Sequence, residues 1–349
     1  MRRWQTQVAM AVLASMLGLA TLPGRASATL SVFQTVQDAA LSIDGGTSGT
    51  GNDNPLQSST PAGATILAAY LYVADVFGSG SAGNVTLNGQ FLPVASGTLL
   101  GPNANPANTR RFDVTANVAA AINAAGGGLV THSYVESDFT DGAVLAVVWQ
   151  NATTAGGTAI IMDGELAQAG DSTVVPFSAP YAGGDLIMSL ASSFSFGNFQ
   201  FTTVDVTTSS NPVSRRLTNC AGGNDDGNFV EANGALITVG GVGDSPTNPG
   251  PACNGAAADD ELYNLALGDS ANPAPFLSIG DTFVRFDTTN PSFDDNVFAF
   301  FFQSTFRVEQ PCPPDQCPPP GPRVPEPASL VLLGAGLAGL ALYRRYRRA

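Results

Sequence analysis

Carboxylates are the most numerous side chains in this sequence that could do chemistry. Six aspartates form three acidic pairs, and these are Asp225 and Asp226, Asp259 and Asp260, and Asp294 and Asp295. Calcium prefers six to eight oxygen ligands of this kind, so it is the candidate metal and the one cofactor that the residues suggest. The competing interpretation, which we favour, is that Asp and Asn stand in turns and helix caps for reasons of backbone geometry.

Histidine and lysine chemistry is narrowly limited. His132 is the single histidine of the chain, and all fourteen cationic side chains are arginine. A serine hydrolase would need His132 as its base, but the sequence has no G-x-S-x-G turn. Without lysine there is no Schiff base, and with one histidine there is no H-E-x-x-H zinc site. We therefore predict that the protein is not an enzyme.

The N-terminal segment, residues 1–28, has the three parts of a secretory signal peptide in order. Two arginines precede an apolar run from Val8 to Leu22, and the small residues Ala26-Ser27-Ala28 follow. This order predicts export by the general secretory route with cleavage after Ala28.

The C-terminal segment consists of a Pro-rich stalk, residues 311–323, and a tail, residues 324–349. The tail has an apolar run over 328–343 and then four arginines, which are Arg344, Arg345, Arg347 and Arg348. We predict a transmembrane helix over 328–343, about 24 Å long, whose flanking arginines snorkel to match a ~30 Å hydrocarbon core. The arginine cluster is expected to stay in the cytoplasm.

The tail resembles a known sorting signal. Pro325, Glu326 and Pro327, followed by the apolar run and the arginine cluster, are similar to the PEP-CTERM signal. The resemblance implies recognition by a membrane exosortase and removal of the tail. It also implies an inner-membrane processing intermediate and then a location at the surface of, or outside, a Gram-negative cell that makes exopolysaccharide. An ordinary single-pass anchor is the alternative.

The four cysteines lie in the part of the chain that is expected to be exported. Disulfides are the default in an oxidising compartment, and the pairing Cys220–Cys253 with Cys312–Cys317 joins sequence neighbours. It places one bridge in the body and one in the stalk. Metal binding by the four thiols is the alternative.

The composition of the body predicts an all-β fold. Thirty-nine glycines with abundant Thr, Ser, Asn and Val are typical of short strands and tight turns. We predict a jelly-roll-like β-sandwich, either as one domain or as two, residues 29–168 and 169–310. The clearest local signals are a buried strand over 65–77, a hairpin at Asn88-Gly89 and a helix over 115–125. In the last strand, alternation predicts one face with Phe298, Phe300, Phe302, Phe306 and Val308.

The charge of the body restricts its partners. Between Thr29 and Arg323 there are seven arginines and twenty-seven acidic residues, a formal charge of −20. Such a surface repels nucleic acid, so no nucleic-acid partner is expected.

The expected function follows from export without an active site. We expect an exosortase-processed surface or matrix protein without catalytic activity, associated with exopolysaccharide, whose other partners are the secretion machinery and the exosortase. Phrases such as Asp163-Gly164-Glu165 also resemble exported bacterial β-domains found ahead of surface anchors. A calcium-dependent saccharide-binding module is the alternative, although Trp149 is the one tryptophan of the exported part. A carboxylate-based glycoside hydrolase is the third hypothesis.

Overall fold

The computed structural model describes ten stretches of the chain. They are residues 30–47, 55–74, 83–101, 109–136, 140–167, 170–193, 202–221, 237–248, 261–290 and 296–317.

The described residues form twenty strands and one α-helix. In chain order these are β1 (Ser31–Gln37), β2 (Ala40–Thr47), β3 (Leu56–Thr60), β4 (Thr65–Ala74), β5 (Val85–Leu87), β6 (Gln90–Leu92), β7 (Thr98–Leu99), β8 (Arg110–Asp113), α1 (Thr115–Ala125), β9 (Gly128–His132), β10 (Tyr134–Glu136), β11 (Gly142–Gln150), β12 (Thr158–Asp163), β13 (Ser172–Pro176), β14 (Leu186–Ser193), β15 (Thr202–Thr208), β16 (Arg215–Ala221), β17 (Ile237–Val239), β18 (Leu262–Asn264), β19 (Phe283–Thr289) and β20 (Asn296–Ser304).

Three larger antiparallel sheets carry the architecture. The middle sheet has the order β1-β12-β20-β14-β17, with β18 also paired to β14. The N-terminal sheet has the order β2-β11-β4-β8-β7, and the C-terminal sheet has the order β13-β19-β15-β16. Two smaller sheets, β3-β9 and β10-β5-β6, complete the set in the described part of the chain.

The middle sheet is buried on both faces. On one face Ile160 and Phe302 pack with Phe286 of the C-terminal sheet, in one hydrophobic cluster. On the other face Ile161 and Phe301 pack in a second cluster with residues of the N-terminal sheet. Because successive side chains of a strand point to opposite faces, a two-sided sheet needs apolar residues at every position.

The N-terminal sheet is also covered on both faces. In β11, Val144 and Val148 face the middle sheet, while Leu145 contributes to a third cluster with Val118 and Ile122 of α1. The helix ends where Gly126 adopts a left-handed conformation, φ 79°, which glycine does without strain. The fold is therefore a stack of three sheets with α1 and the small sheets on one outer side.

The local sequence predictions are confirmed. The strand predicted over 65–77 is β4, Thr65–Ala74, and residues 75–77 of the prediction lie outside the described stretches. It lies third of five in its sheet, as expected for a buried strand. The predicted helix is α1 with the predicted bounds. Asn88 and Gly89 have positive φ values of 48° and 77° and join β5 to β6, as a type I′ turn requires. The all-β sandwich is confirmed, with a third sheet added.

One expectation about β20 is wrong. Its alternation predicts Phe298, Phe300 and Phe302 on one face, but Phe298 packs on the N-terminal side and the other two on the C-terminal side. The cause is a register shift in the pairing of β20 with β14, between Ala191 and Ser192. An irregularity of this kind moves the side chains beyond it to the opposite face.

The predicted domain boundary falls between strands of a single sheet. In the middle sheet, β1 and β12 precede residue 168, whereas β14, β17, β18 and β20 follow it. The central pairing, β12 with β20, joins the two predicted units from Thr158↔Ser304 to Asp163↔Ala299.

Candidate functional site

Most residues of the predicted sites lie outside the described stretches. This holds for all six aspartates of the calcium prediction, for the sorting tripeptide, for the basic cluster, for the helix over 328–343 and for the cleavage site after Ala28. The predicted Cys220–Cys253 bridge also stays a prediction, because the side chain of Cys220 and all of Cys253 are outside them.

The described stretches hold neither a candidate metal centre nor a candidate membrane-spanning helix. They contain no group of three or more His, Cys, Asp or Glu side chains that could hold a metal ion. Within the same residues, no helix has the length and apolarity needed to cross a membrane.

The predicted Cys312–Cys317 disulfide is confirmed, with a Cα–Cα distance of 5.3 Å. The segment that carries it is held to the C-terminal sheet. Val174 of β13 and Cys312 exchange two backbone hydrogen bonds, each 2.9 Å between N and O. The start of the predicted stalk is therefore part of the folded body.

A cleft of about 820 Å³ lies where the two ends of the described chain meet. It is lined by residues 30–32, residues 170–173 and residues 310–316 of the disulfide segment. Three carboxylates line it, those of Asp171, Asp287 and Asp315.

Asp171 is a partly buried carboxylate of this cleft. Burial raises the pKa of Asp171 to about 6, and the backbone N–H groups of Ala167, Ser172 and Leu30 act against that rise. Its Oδ2 atom is buried and has no hydrogen-bond partner among the described residues. A buried carboxylate oxygen without a hydrogen-bond donor raises the free energy of the folded state, so a donor at this position would stabilise the protein.

His132 lies in a buried network with Ser58 and Asn88. Its Nε2 atom is 2.9 Å from Ser58 Oγ, and its Nδ1 atom is 3.0 Å from Asn88 Nδ2. Burial lowers the pKa of His132 to about 4, so the ring is neutral at pH 7. At first sight this is the Ser-His-Asn arrangement of a nucleophilic site.

The direction of the hydrogen bonds argues against that chemistry. The backbone N–H of Ser133 donates to Asn88 Oδ1, which fixes the amide so that Nδ2 faces the ring. His132 Nδ1 must then accept, and the proton of the neutral ring is on Nε2 and donates to Ser58 Oγ. A base that activates serine needs the reverse, an unprotonated nitrogen facing the hydroxyl. The network holds β3, β9 and the β5–β6 turn together.

A second buried polar cluster joins the N-terminal sheet to the middle sheet. Tyr72 OH donates to Asp163 Oδ2 at 2.9 Å, and Arg111 forms an ion pair with the same carboxylate. The Arg111 guanidinium also stacks 3.3 Å from the centroid of the Phe33 ring. Burial raises the pKa of Asp163, and Arg111 opposes that rise. Strands β1, β4, β8 and β12 each contribute one of these side chains.

A third polar contact involves Asp44 of β2. Its carboxylate accepts the backbone N–H of Gln57, and Asp244 lies near enough to repel it. Burial, acting with that repulsion and against the Gln57 hydrogen bond, raises the pKa of Asp44 to about 7. The sequence assigns no chemical role to Asp44, Asp163 or Asp171. Only the fold brings Arg111 to Asp163, Asp244 to Asp44 and Leu30 to Asp171.

Comparison with known proteins decides the nature of the tail. The PEP-CTERM protein-sorting motif matches residues 323–348. The chain carries a PEP-CTERM sorting motif. The motif implies export, membrane-associated processing and an exosortase as the processing enzyme, as the sequence predicted.

No curated protein matches the chain. A solved structure, the major capsid protein P2 from bacteriophage PM2, aligns with 78% of this chain and 98% of its own at 13% identity and a TM-score of 0.20. That score does not establish a shared fold. The resemblance of the body to exported bacterial β-domains is not confirmed.

Proposed function

We propose that this PEP-CTERM protein is a non-catalytic component of the cell surface or extracellular matrix, associated with exopolysaccharide. The observation that carries the proposal is the sorting motif at residues 323–348. In this proposal the signal peptide is removed after Ala28, the tail is removed at the sorting tripeptide, and the three-sheet body is the mature product.

Two properties of the described body support a structural role. Its hydrophobic clusters fill both faces of the middle sheet, as in a rigid building block. The single histidine of the chain is used to join three structural elements, with its proton on the nitrogen that faces Ser58.

The processing step is tested by intact-mass measurement of non-reduced protein from the envelope and from the medium. We expect a species that starts at Thr29, ends near Pro327 and is lighter by four protons, as two disulfides require. The variant Glu326→Ala should accumulate in the membrane fraction with its tail retained, whereas Asp315→Asn, an exposed acid of the disulfide segment, should be processed normally. A wild-type mass that includes residues 328–349 would show a permanent anchor instead.

The matrix association is tested with exopolysaccharide purified from the producing cells. The mature protein should co-sediment with the polymer, in chelator as well as without it, and should release no new reducing ends. Binding that chelator abolishes would favour the calcium-dependent saccharide-binding module. Release of reducing ends, lost on neutralising one specific carboxylate, would favour the glycoside hydrolase. No co-sedimentation would remove the polysaccharide from the proposal.

A further inference from the structure

The start of the described chain lies against Asp171. Leu30 and Asp171 both line the cleft, and a hydrogen bond from the Leu30 backbone N–H opposes the rise that burial causes in the pKa of the Asp171 carboxyl group. The backbone nitrogen of residue 29 is covalently limited to roughly 3.7 Å from that of Leu30. An amino group at Thr29 is therefore within reach of the same carboxylate.

We propose that the α-amino group released at Thr29 by signal-peptide cleavage binds in this cleft as an ammonium ion and forms an ion pair with Asp171. The inference rests on the cleavage after Ala28 that is part of the proposed function. In the uncleaved precursor the same nitrogen is an uncharged amide, so the ion pair exists in the mature protein alone.

The charges around the cleft favour this partner. Asp287, on β19, forms an ion pair with Arg285, and Asp315 is exposed on the disulfide segment. Of the three carboxylates in the cleft, Asp171 is the one with a buried oxygen that lacks a hydrogen-bond donor. An ammonium has three donors and one positive charge, so it supplies both the missing hydrogen bond and the countercharge.

The chain offers an unusually direct way to test the pair. It contains no lysine, so the α-amino group is the one primary amine of the mature protein. Amine-specific reductive methylation, followed by intact mass over a range of pH, therefore reports on this group alone. The proteins to compare are the mature wild type, Asp171→Asn, and Asp315→Asn as a matched control from the same cleft.

The ion pair should raise the pKa of the α-amino group above its ordinary 7.7–8.0 by about one unit. At pH 7.5 the wild type and Asp315→Asn should then be methylated about tenfold more slowly than Asp171→Asn. Insertion of one alanine before Thr29 moves the amine away from the carboxylate, and this variant should react as fast as Asp171→Asn although it retains Asp171.

Equal rates in the wild type and in both altered proteins would overturn the ion pair. Where Asp171→Asn does not fold, as judged by circular dichroism, the alanine insertion provides the same comparison. Intact mass identifies the first residue of each protein. A natural start other than Thr29 would refute the predicted cleavage. The ion pair could then still be tested on a chain that is exported behind another signal peptide and begins at Thr29.

Discussion

At the scale of single residues, burial keeps His132 neutral at pH 7 and keeps Asp44 neutral below about pH 7. Burial lowers the pKa of the His132 ring to about 4 and raises that of the Asp44 carboxyl to about 7. The two groups then affect stability in opposite ways as pH changes. His132 binds its proton more readily in the unfolded chain, whereas Asp44 binds its proton more readily in the folded one.

His132 should make the protein less stable in mild acid. As pH falls from about 6.5 to 4, the unfolded chain gains a proton on this ring that the folded protein does not, so the free energy of unfolding should fall by roughly 3 kcal/mol. Because Asp44 acts in the opposite direction over the same range, the contribution is measured as the difference between the wild type and a His132 variant in urea unfolding at pH 7 and pH 4.5.

The variant His132→Asn should lack that acid-dependent loss, while Thr131→Val, an exposed neighbour on β9, should retain it. An identical acid response in the wild type and His132→Asn would show that the ring titrates normally.

Asp44 should have the opposite effect. Between pH 4 and pH 7 the unfolded chain loses the proton that the folded protein keeps, so this residue lowers the free energy of unfolding as pH rises. We expect Asp44→Asn to be more stable than the wild type at pH 8 by roughly 2–4 kcal/mol, with little difference at pH 4. The asparagine Oδ1 can still accept from Gln57, and its amide can donate toward Asp244.

Thermal or urea unfolding at the two pH values measures the effect, with Asp315→Asn as the exposed control. A variant that is less stable than the wild type at both pH values would mean that Asp44 is ionised and favourable in the fold.

At the scale of elements, the cluster of Arg111, Tyr72 and Asp163 is the polar contact to test between the N-terminal and middle sheets. We expect Arg111→Met to cost about 3–5 kcal/mol, because it leaves the Asp163 carboxylate buried without its cation. The double variant Arg111→Met with Asp163→Asn should recover part of that loss. Denaturant unfolding of the two single variants and the double variant gives the coupling energy.

The control for this prediction is an exposed ion pair on the C-terminal sheet. Arg216 pairs with Asp205 at 2.7 Å, but both side chains are partly exposed. Arg216→Met should therefore cost no more than about 1 kcal/mol. Equal costs for the two arginines would mean that the Asp163 cluster is as solvated as a surface pair.

Elements could be predicted from the sequence where the signal is local. The turn at Asn88-Gly89 and the end of α1 at Gly126 depend on backbone preferences that follow directly from the residue types. Pairings could not be predicted, since β12 and β20 are more than a hundred residues apart. For the same reason the ion pair of Asp163 with Arg111 could not be predicted, since only tertiary pairing brings these residues together. The position of Phe298 was missed because nothing local marks the register shift.

At the scale of the whole molecule, the shared middle sheet predicts one cooperative unfolding transition. Strands from before residue 168 and after residue 169 meet within it at the β12–β20 pairing, so neither predicted unit keeps this central pairing without the other. We expect Trp149 fluorescence, on the N-terminal sheet, and far-ultraviolet circular dichroism, over all sheets, to give the same midpoint in urea. Two separated transitions would show instead that residues 29–168 and 169–310 fold independently.

The place of β20 in that sheet also bears on the proposed export of the chain across the inner membrane. This strand lies between β12 and β14 and supplies residues to the cores on both sides of the sheet, yet it is the last long strand of the described chain. During N-to-C translocation the body cannot complete its core until residues 296–304 have emerged. Pairings of such long sequence separation also form slowly. In the proposed export route, the topology therefore delays completion of the core until the sorting tail is about to reach the membrane, which suits a secretory pathway that carries unfolded chains.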